Sequence, residues 1–210
     1  EDSNKDYYLL RSIVINENGE IISFSPIKSI SYDFYLNNYR INNDVEYNKY
    51  YIEPFYEGTM VNLFWDKFKD DWELTTRSVI GAKCSFQYNM PDNKSFRFMF
   101  LDSMNKMDIH FDDFDKKNIY SFVLQHPDNE IVIEYNKPSL VHLVTRSLKS
   151  DNYLEEVNMD IGCIKPKKFE IDSYTRLLKI CYLEEEFETE GYVIIDENKT
   201  MPTELASIIQ

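Results

Sequence analysis

The run Gly58-Thr59-Met60-Val61-Asn62-Leu63-Phe64-Trp65, the polar turn Asp66 to Asp71 and the return Trp72-Glu73-Leu74-Thr75-Thr76-Arg77 read together as a β-hairpin. Successive strand side chains point to opposite faces. Thr59, Val61, Leu63 and Trp65 therefore share one face, and Met60, Asn62 and Phe64 the other. Apolar side chains on both faces predict a strand covered on both sides, central in its sheet.

Upstream, Tyr47 to Phe55 reads as the strand leading into this hairpin, and Asp33 to Glu46 as a polar loop. Tyr8 to Ile15 and Glu20 to Phe24 form an earlier hairpin across the turn Asn16-Glu17-Asn18-Gly19, closed by Ser25-Pro26. Downstream, Asp92 to Met107 has helical spacing, with Phe96, Met99, Phe100 and Met104 on one face. Tyr120 to Leu124 and Glu130 to Glu134 read as strands across the turn 126–129, and Ser139 to Arg146 as a further strand. Ile171 to Glu185 reads as a second helix burying Tyr174, Leu177, Leu178 and Cys181. Gly191 to Ile195 is a short buried strand, and Thr203 to Gln210 a terminal helix capped by Thr203. Hairpins dominate and no βαβ alternation appears. The order predicts an α+β fold, antiparallel β-sheets flanked by helices, rather than a doubly wound one. Without a repeat or a low-complexity linker, residues 1–210 read as one domain.

Composition narrows the function classes. At 43% hydrophobic and 15% aromatic, 210 residues can bury a sizeable core. Five glycines make a glycine-rich phosphate loop a poor expectation. The net charge of −14 disfavours tight duplex binding, which draws its affinity from cations that displace phosphate counterions. A protein partner or a small ligand is favoured instead. Cys84, Cys163 and Cys181 form no Cys-x-x-Cys pair, and three isolated cysteines fit a reducing, cytoplasmic-type environment or a virion. His142, inside an apolar run, reads as a structural histidine. Trp65, Trp72, Phe96, Phe98 and Phe100 read as core rather than base-stacking platforms. No apolar run approaches the ~20 residues that span a bilayer, and no signal-peptide core opens the chain. The first residue is not Met, which fits a processed, trimmed or partial chain. Abundant Asn, Ile, Tyr, Lys and Asp fit AT-rich coding, as in a parasite, a large DNA virus or an AT-rich bacterium.

Four segments, in order, carry a resemblance. The first is Arg11-Ser12-Ile13-Val14-Ile15 with Gly19 to Pro26 and Lys28; the second is Phe55-Tyr56-Glu57-Gly58-Thr59-Met60 with the return Thr76-Arg77-Ser78. The third is Tyr120 to Val132, containing Pro127-Asp128-Asn129-Glu130-Ile131-Val132, and the fourth is Glu190-Gly191-Tyr192-Val193-Ile194. Together they resemble the signature blocks of the adenylation (nucleotidyltransferase) domain of bacteriophage-type ATP-dependent RNA ligases. The resemblance implies a nucleotidyltransferase fold, an ATP and divalent-metal site, and attack of a lysine amine on the α-phosphorus of ATP. It implies nucleotide- or metal-binding roles for Arg11, Lys28, Glu57, Gly58 and Glu190.

The departures fall on the chemistry. Phe55 stands where the family has its nucleophilic lysine. Val123 stands where a glutamate faces the nucleotide, and Glu130 where an arginine belongs. Only Lys199 follows where the family places a Lys-x-Lys strand, so the chain either stops before that element or lacks it. Lys49 shares the face of Phe55 but lies roughly 20 Å along the strand. Glu57 and Glu190 either hold a metal or ribose hydroxyl or serve as hydrogen-bonded strand-end acids; Arg11 and Lys28 either meet an anion or form ion pairs. Three functions stay open at this point: a catalytically inactive ligase-like binding or structural subunit, an active ATP-dependent ligase with a relocated nucleophile, and an unrelated α+β structural protein.

Overall fold

A computed structural model of the chain describes residues 12–26, 29–31, 50–85, 94–129, 132–148, 154–183, 191–196 and 207–209. In chain order its elements are β1 (Val14–Ile15), β2 (Ile21–Ser23), β3 (Ile30–Ser31), β4 (Tyr50–Phe55), β5 (Thr59–Asp66), β6 (Asp71–Thr75) and α1 (Phe96–Lys106). There follow β7 (Asn118–Gln125), β8 (Ser139–Leu148), β9 (Leu154–Glu156), β10 (Phe169–Glu170), α2 (Tyr174–Leu183), β11 (Gly191–Asp196) and β12 (Ser207–Ile209). The fold is α+β, and its strand pairs are antiparallel except β12 with β3. The chain divides into two compact units: a larger one, Arg11–Pro26 with Glu57–Lys165, and a smaller one built from Glu1–Leu10, Ile27–Tyr56 and Pro166–Gln210.

In the larger unit the strands run β6-β5-β7-β8-β9. β5 is central, as its two-faced pattern predicts. The β5–β6 hairpin is set by Asp66, whose Oδ1 accepts the N–H groups of Phe68 (2.9 Å) and Lys69 (3.4 Å) across the turn. One sheet face carries Val61, Leu63, Leu74, Tyr120, Phe122 and Leu124 and packs on α1 through Phe96, Met99, Phe100 and Met104. These are the four α1 residues that helical spacing selects. Ser95 caps that helix, accepting from Phe98 N–H at 3.3 Å. Each such large apolar side chain contributes about 1.5–3 kcal/mol on burial. Trp72 and Phe100 are buried with them, whereas Phe98 is exposed.

The opposite face is built differently. Val14, Phe64 and Ile119, with Ile22 and Phe24, form a small cluster under the β1–β2 hairpin. Beside it Ser121 Oγ donates to Asn62 Oδ1 (2.8 Å), and Asn62 Nδ2 donates to Ser25 Oγ (2.9 Å), all buried. This chain satisfies Asn62 and ties the end of the hairpin to the sheet. The hairpin turn is local chemistry: Asn16 Oδ1 accepts the N–H groups of Asn18 and Glu20, and Gly19 takes φ +80°.

The smaller unit has strand order β10-β4-β11-β12-β3. Ile52, Phe169, Ile171, Leu177, Ile180 and Tyr192 form its core.

Four local expectations change. Of the strand expected over Tyr47 to Phe55, the described residues 50–55 form β4, which joins β10 and β11 in the other sheet rather than the following hairpin. Residues 132–134 lie in no strand and Val132 is exposed; β7 pairs instead with β8. Helix α2 buries Leu177 and Ile180, leaving Tyr174 and Leu178 exposed, a rotation of the expected face. Residues 207–209, expected in a helix, form β12, whose backbone pairs with β11 and β3; Thr203 lies outside the described residues. No helix among the described residues is long and apolar enough to cross a membrane.

Candidate functional site

The motif segments, far apart in sequence, meet in pairs. In the larger unit β5 runs antiparallel to β7 with Thr59 opposite Leu124 and Met60 opposite Val123. That register brings the Glu57-Gly58-Thr59 end of one segment to the Pro127-Asp128-Asn129 turn of another. Asn129, buried in a 3₁₀ turn, donates through Nδ2 to Thr59 Oγ1 at 3.0 Å and to the Leu124 carbonyl at 3.4 Å. In the smaller unit Phe55 is the cross-strand partner of Gly191, and Pro54 of Tyr192.

Glu57 is buried at 6% exposure. Its Oε1 accepts from Val132 N–H at 2.7 Å and its Oε2 from Ile133 N–H at 2.8 Å. Its carbonyl accepts from Tyr135 Oη (2.9 Å) and from Gln125 Nε2 (3.1 Å), while Ser139 Oγ donates to Gln125 Oε1. Charge-assisted bonds of this kind are about twice as strong as neutral ones. The carboxylate therefore acts as a clamp on the loop after β7. Gly58 beside it has φ +141°, and a Cβ there would lie 2.5 Å from the Leu124 carbonyl oxygen and 2.6 Å from Val123 Cγ1. The acid and the glycine thus meet packing and hydrogen-bonding demands of the β5–β7 end.

Val123 is buried between Met60 and Val141. Phe55 is half-buried at the end of β4. Arg11, Lys28, Glu190, Glu130 and Lys49 lie outside the described residues.

His126, just after β7, has partners on α1 and in its own turn. His126 is buried, with Nε2 3.3 Å from Asp102 Oδ2 on α1. Its Nδ1 accepts from Asp128 N–H at 3.0 Å, so the ring proton sits on Nε2 and points at Asp102. Both ring nitrogens thus have partners within the unit. Asp128 is in turn paired with Lys94 at 2.7 Å. Nothing in the local sequence announces the pair, since its members are 24 residues apart.

His142 is a buried structural histidine. Its Nε2 lies 2.9 Å from Thr145 Oγ1, and burial first, then the charge of Lys165, lower its pKa to about 4. Burial pushes the Cys163 thiol up to about 12, helped by Asp160, and the Cys181 thiol up to about 11. Neither is an activated nucleophile. On the edge strand β6, burial alone would raise the Glu73 carboxyl. Hydrogen bonds from Lys69 and the Leu74 N–H, with the charges of Lys69 and Arg97, outweigh burial and hold it below its ordinary range. Among the described residues no group of three or more His, Cys, Asp and Glu side chains is placed to hold a metal ion.

No protein-family model matches this chain, and no curated protein matches it in sequence.

Proposed function

We propose that this chain is a nucleotidyltransferase-like domain of the RNA-ligase type that has lost adenylation and acts by binding. The observation that carries the reading is Phe55. In the resemblance Phe55 takes the position of the nucleophilic lysine, and its backbone is the cross-strand partner of Gly191. A covalent lysyl-adenylate needs an amine at that place, and phenylalanine offers no lone pair.

Two further features support the reading. The Glu57 carboxylate is bonded to two backbone N–H groups, so recruiting it to a metal would release the loop at 132 and 133. Burial holds the His142 imidazole at a pKa of about 4, which ill suits it to replace the missing group. The charge of −14 favours a protein surface, a nucleotide or an RNA end as the bound partner over a duplex.

The test is incubation with α-labelled ATP and Mg²⁺ or Mn²⁺, followed by denaturing electrophoresis and mass spectrometry for a lysine carrying AMP. The expected result is no covalent adduct. A labelled band would overturn the proposal in favour of an active ligase with a relocated nucleophile.

A further inference from the structure

The larger unit contains a cavity of about 340 Å³ between the β1–β2 hairpin and the adjoining ends of β5 and β7. Its size is at the small end of ligand sites, which run from about 300 to 1,000 Å³. Ile22, Phe64 and Ile119 give it an apolar lining, and Phe68 adds aromatic surface. Phe68 is 66% exposed, a ring left largely in water. None of these residues belongs to the proposed adenylation-type site.

The charges around this cavity are asymmetric. Both of its carboxylates are already engaged: Glu20 Oε2 accepts from Asn16 Nδ2 at 2.7 Å, and Asp66 accepts two turn N–H groups and lies 3.5 Å from the Lys69 ammonium. Lys67, Lys116 and Lys117 line the cavity, and among the described residues none of them forms an ion pair. Lys116 instead places its ammonium 3.5 Å from the centre of the Trp65 ring. The lining thus sets three lysines against two hydrogen-bonded carboxylates on a chain whose net charge is −14. Three cations suit a phosphate monoester, which carries nearly two charges and three acceptor oxygens, better than a single carboxylate. The aromatic and apolar surfaces suit a planar ring attached to that phosphate.

We propose that this cavity binds a phosphate monoester carried on a planar aromatic body, the phosphate meeting Lys67, Lys116 and Lys117 and the ring meeting Phe68 and the apolar lining. The test is titration of the ¹⁵N-labelled chain with adenosine monophosphate, following the Trp65 indole N–H, which is assigned with Trp65→Phe. Adenosine and inorganic phosphate are titrated separately. The nucleotide is expected to shift that signal saturably below about 10 mM, with each half-ligand at least about tenfold weaker, and K67Q/K116Q/K117Q to lose at least about tenfold in affinity. If the triple variant does not fold, Lys117→Gln alone is expected to weaken binding measurably. The proposal fails if the nucleotide causes no saturable shift or if the folded lysine variant binds as tightly as the parent. It also fails if adenosine alone, or phosphate alone, binds as well as the ester.

Discussion

The two units are assembled on opposite plans. The larger is mostly one continuous stretch, Glu57–Lys165, with the hairpin Arg11–Pro26 laid on its sheet. Its strands β5, β7 and β8 have 8, 8 and 10 residues and share a core with α1. The smaller collects three separate segments, and its described strands include two-residue β3 and β10 and three-residue β12. Long neighbouring strands impose register through many side-chain pairs, whereas short strands from distant segments depend on what they meet. The contrast has a convenient reporter, because both tryptophans, Trp65 and Trp72, belong to the larger unit.

The strongest test of the contrast is Phe122→Ala, which empties a fully buried position on the sheet face beneath α1. We expect a loss of about 3–5 kcal/mol in urea unfolding followed by tryptophan fluorescence. Its counterpart Ile180→Ala, in the smaller core, is expected to cost about 2–5 kcal/mol in a circular-dichroism transition while leaving the tryptophan transition in place. Equal movement of both signals by both variants would show that the units unfold as one.

Gly58→Ala comes next, at the end of β5. The added Cβ would meet backbone at 2.5 Å and at a positive φ, with a cost of about 3 kcal/mol expected on the tryptophan transition. A loss under about 1 kcal/mol would mean that the β5–β7 end shifts to admit a methyl group.

Glu57→Gln keeps the shape of the clamp but replaces one acceptor oxygen by an amide that donates. One of the Val132 and Ile133 N–H groups then loses its partner, for an expected cost of about 2 kcal/mol. Hydrogen exchange should accelerate at those two amides before it changes in β5 or β7. Unchanged protection there would break the clamp assignment.

The smallest effect is a dependence on pH. The His142 pKa is about 4 in the folded chain, against about 6.5 when unfolded, so the unfolded chain takes up the proton first as pH falls. This stabilisation is complete above about 6.5 and drains away as pH falls through about 4. Between about pH 7 and pH 4.5 we expect the parent to lose roughly 2 kcal/mol more than His142→Gln, measured by urea unfolding. Parallel pH profiles would rule out His142 as the group responsible.

Much of the larger unit is legible in the sequence because its signals are local. The alternation in 59–65 marks a central strand, the Asn16 to Gly19 turn marks a hairpin, and the spacing of Phe96, Met99, Phe100 and Met104 marks the buried face of α1. The phenylalanine at position 55 and the strong negative charge are likewise properties of the chain alone. Tertiary structure decides the remainder. Residues 207–209 pair with β11 and β3, where β-ladder bonding overrides helical propensity. Helix α2 turns Ile180 inward because its face is fixed by Ile52 and Phe169, which arrive from other segments. Residues 132 and 133 leave the strand pattern because their N–H groups bond to Glu57 instead of a neighbouring strand. The His126–Asp102 pair, the clamp of Glu57 and the lysine-lined cavity all join residues with no mutual signal in the sequence. Local propensity is written residue by residue, but the groups that satisfy a buried charge or complete a cavity are chosen only when the chain closes on itself.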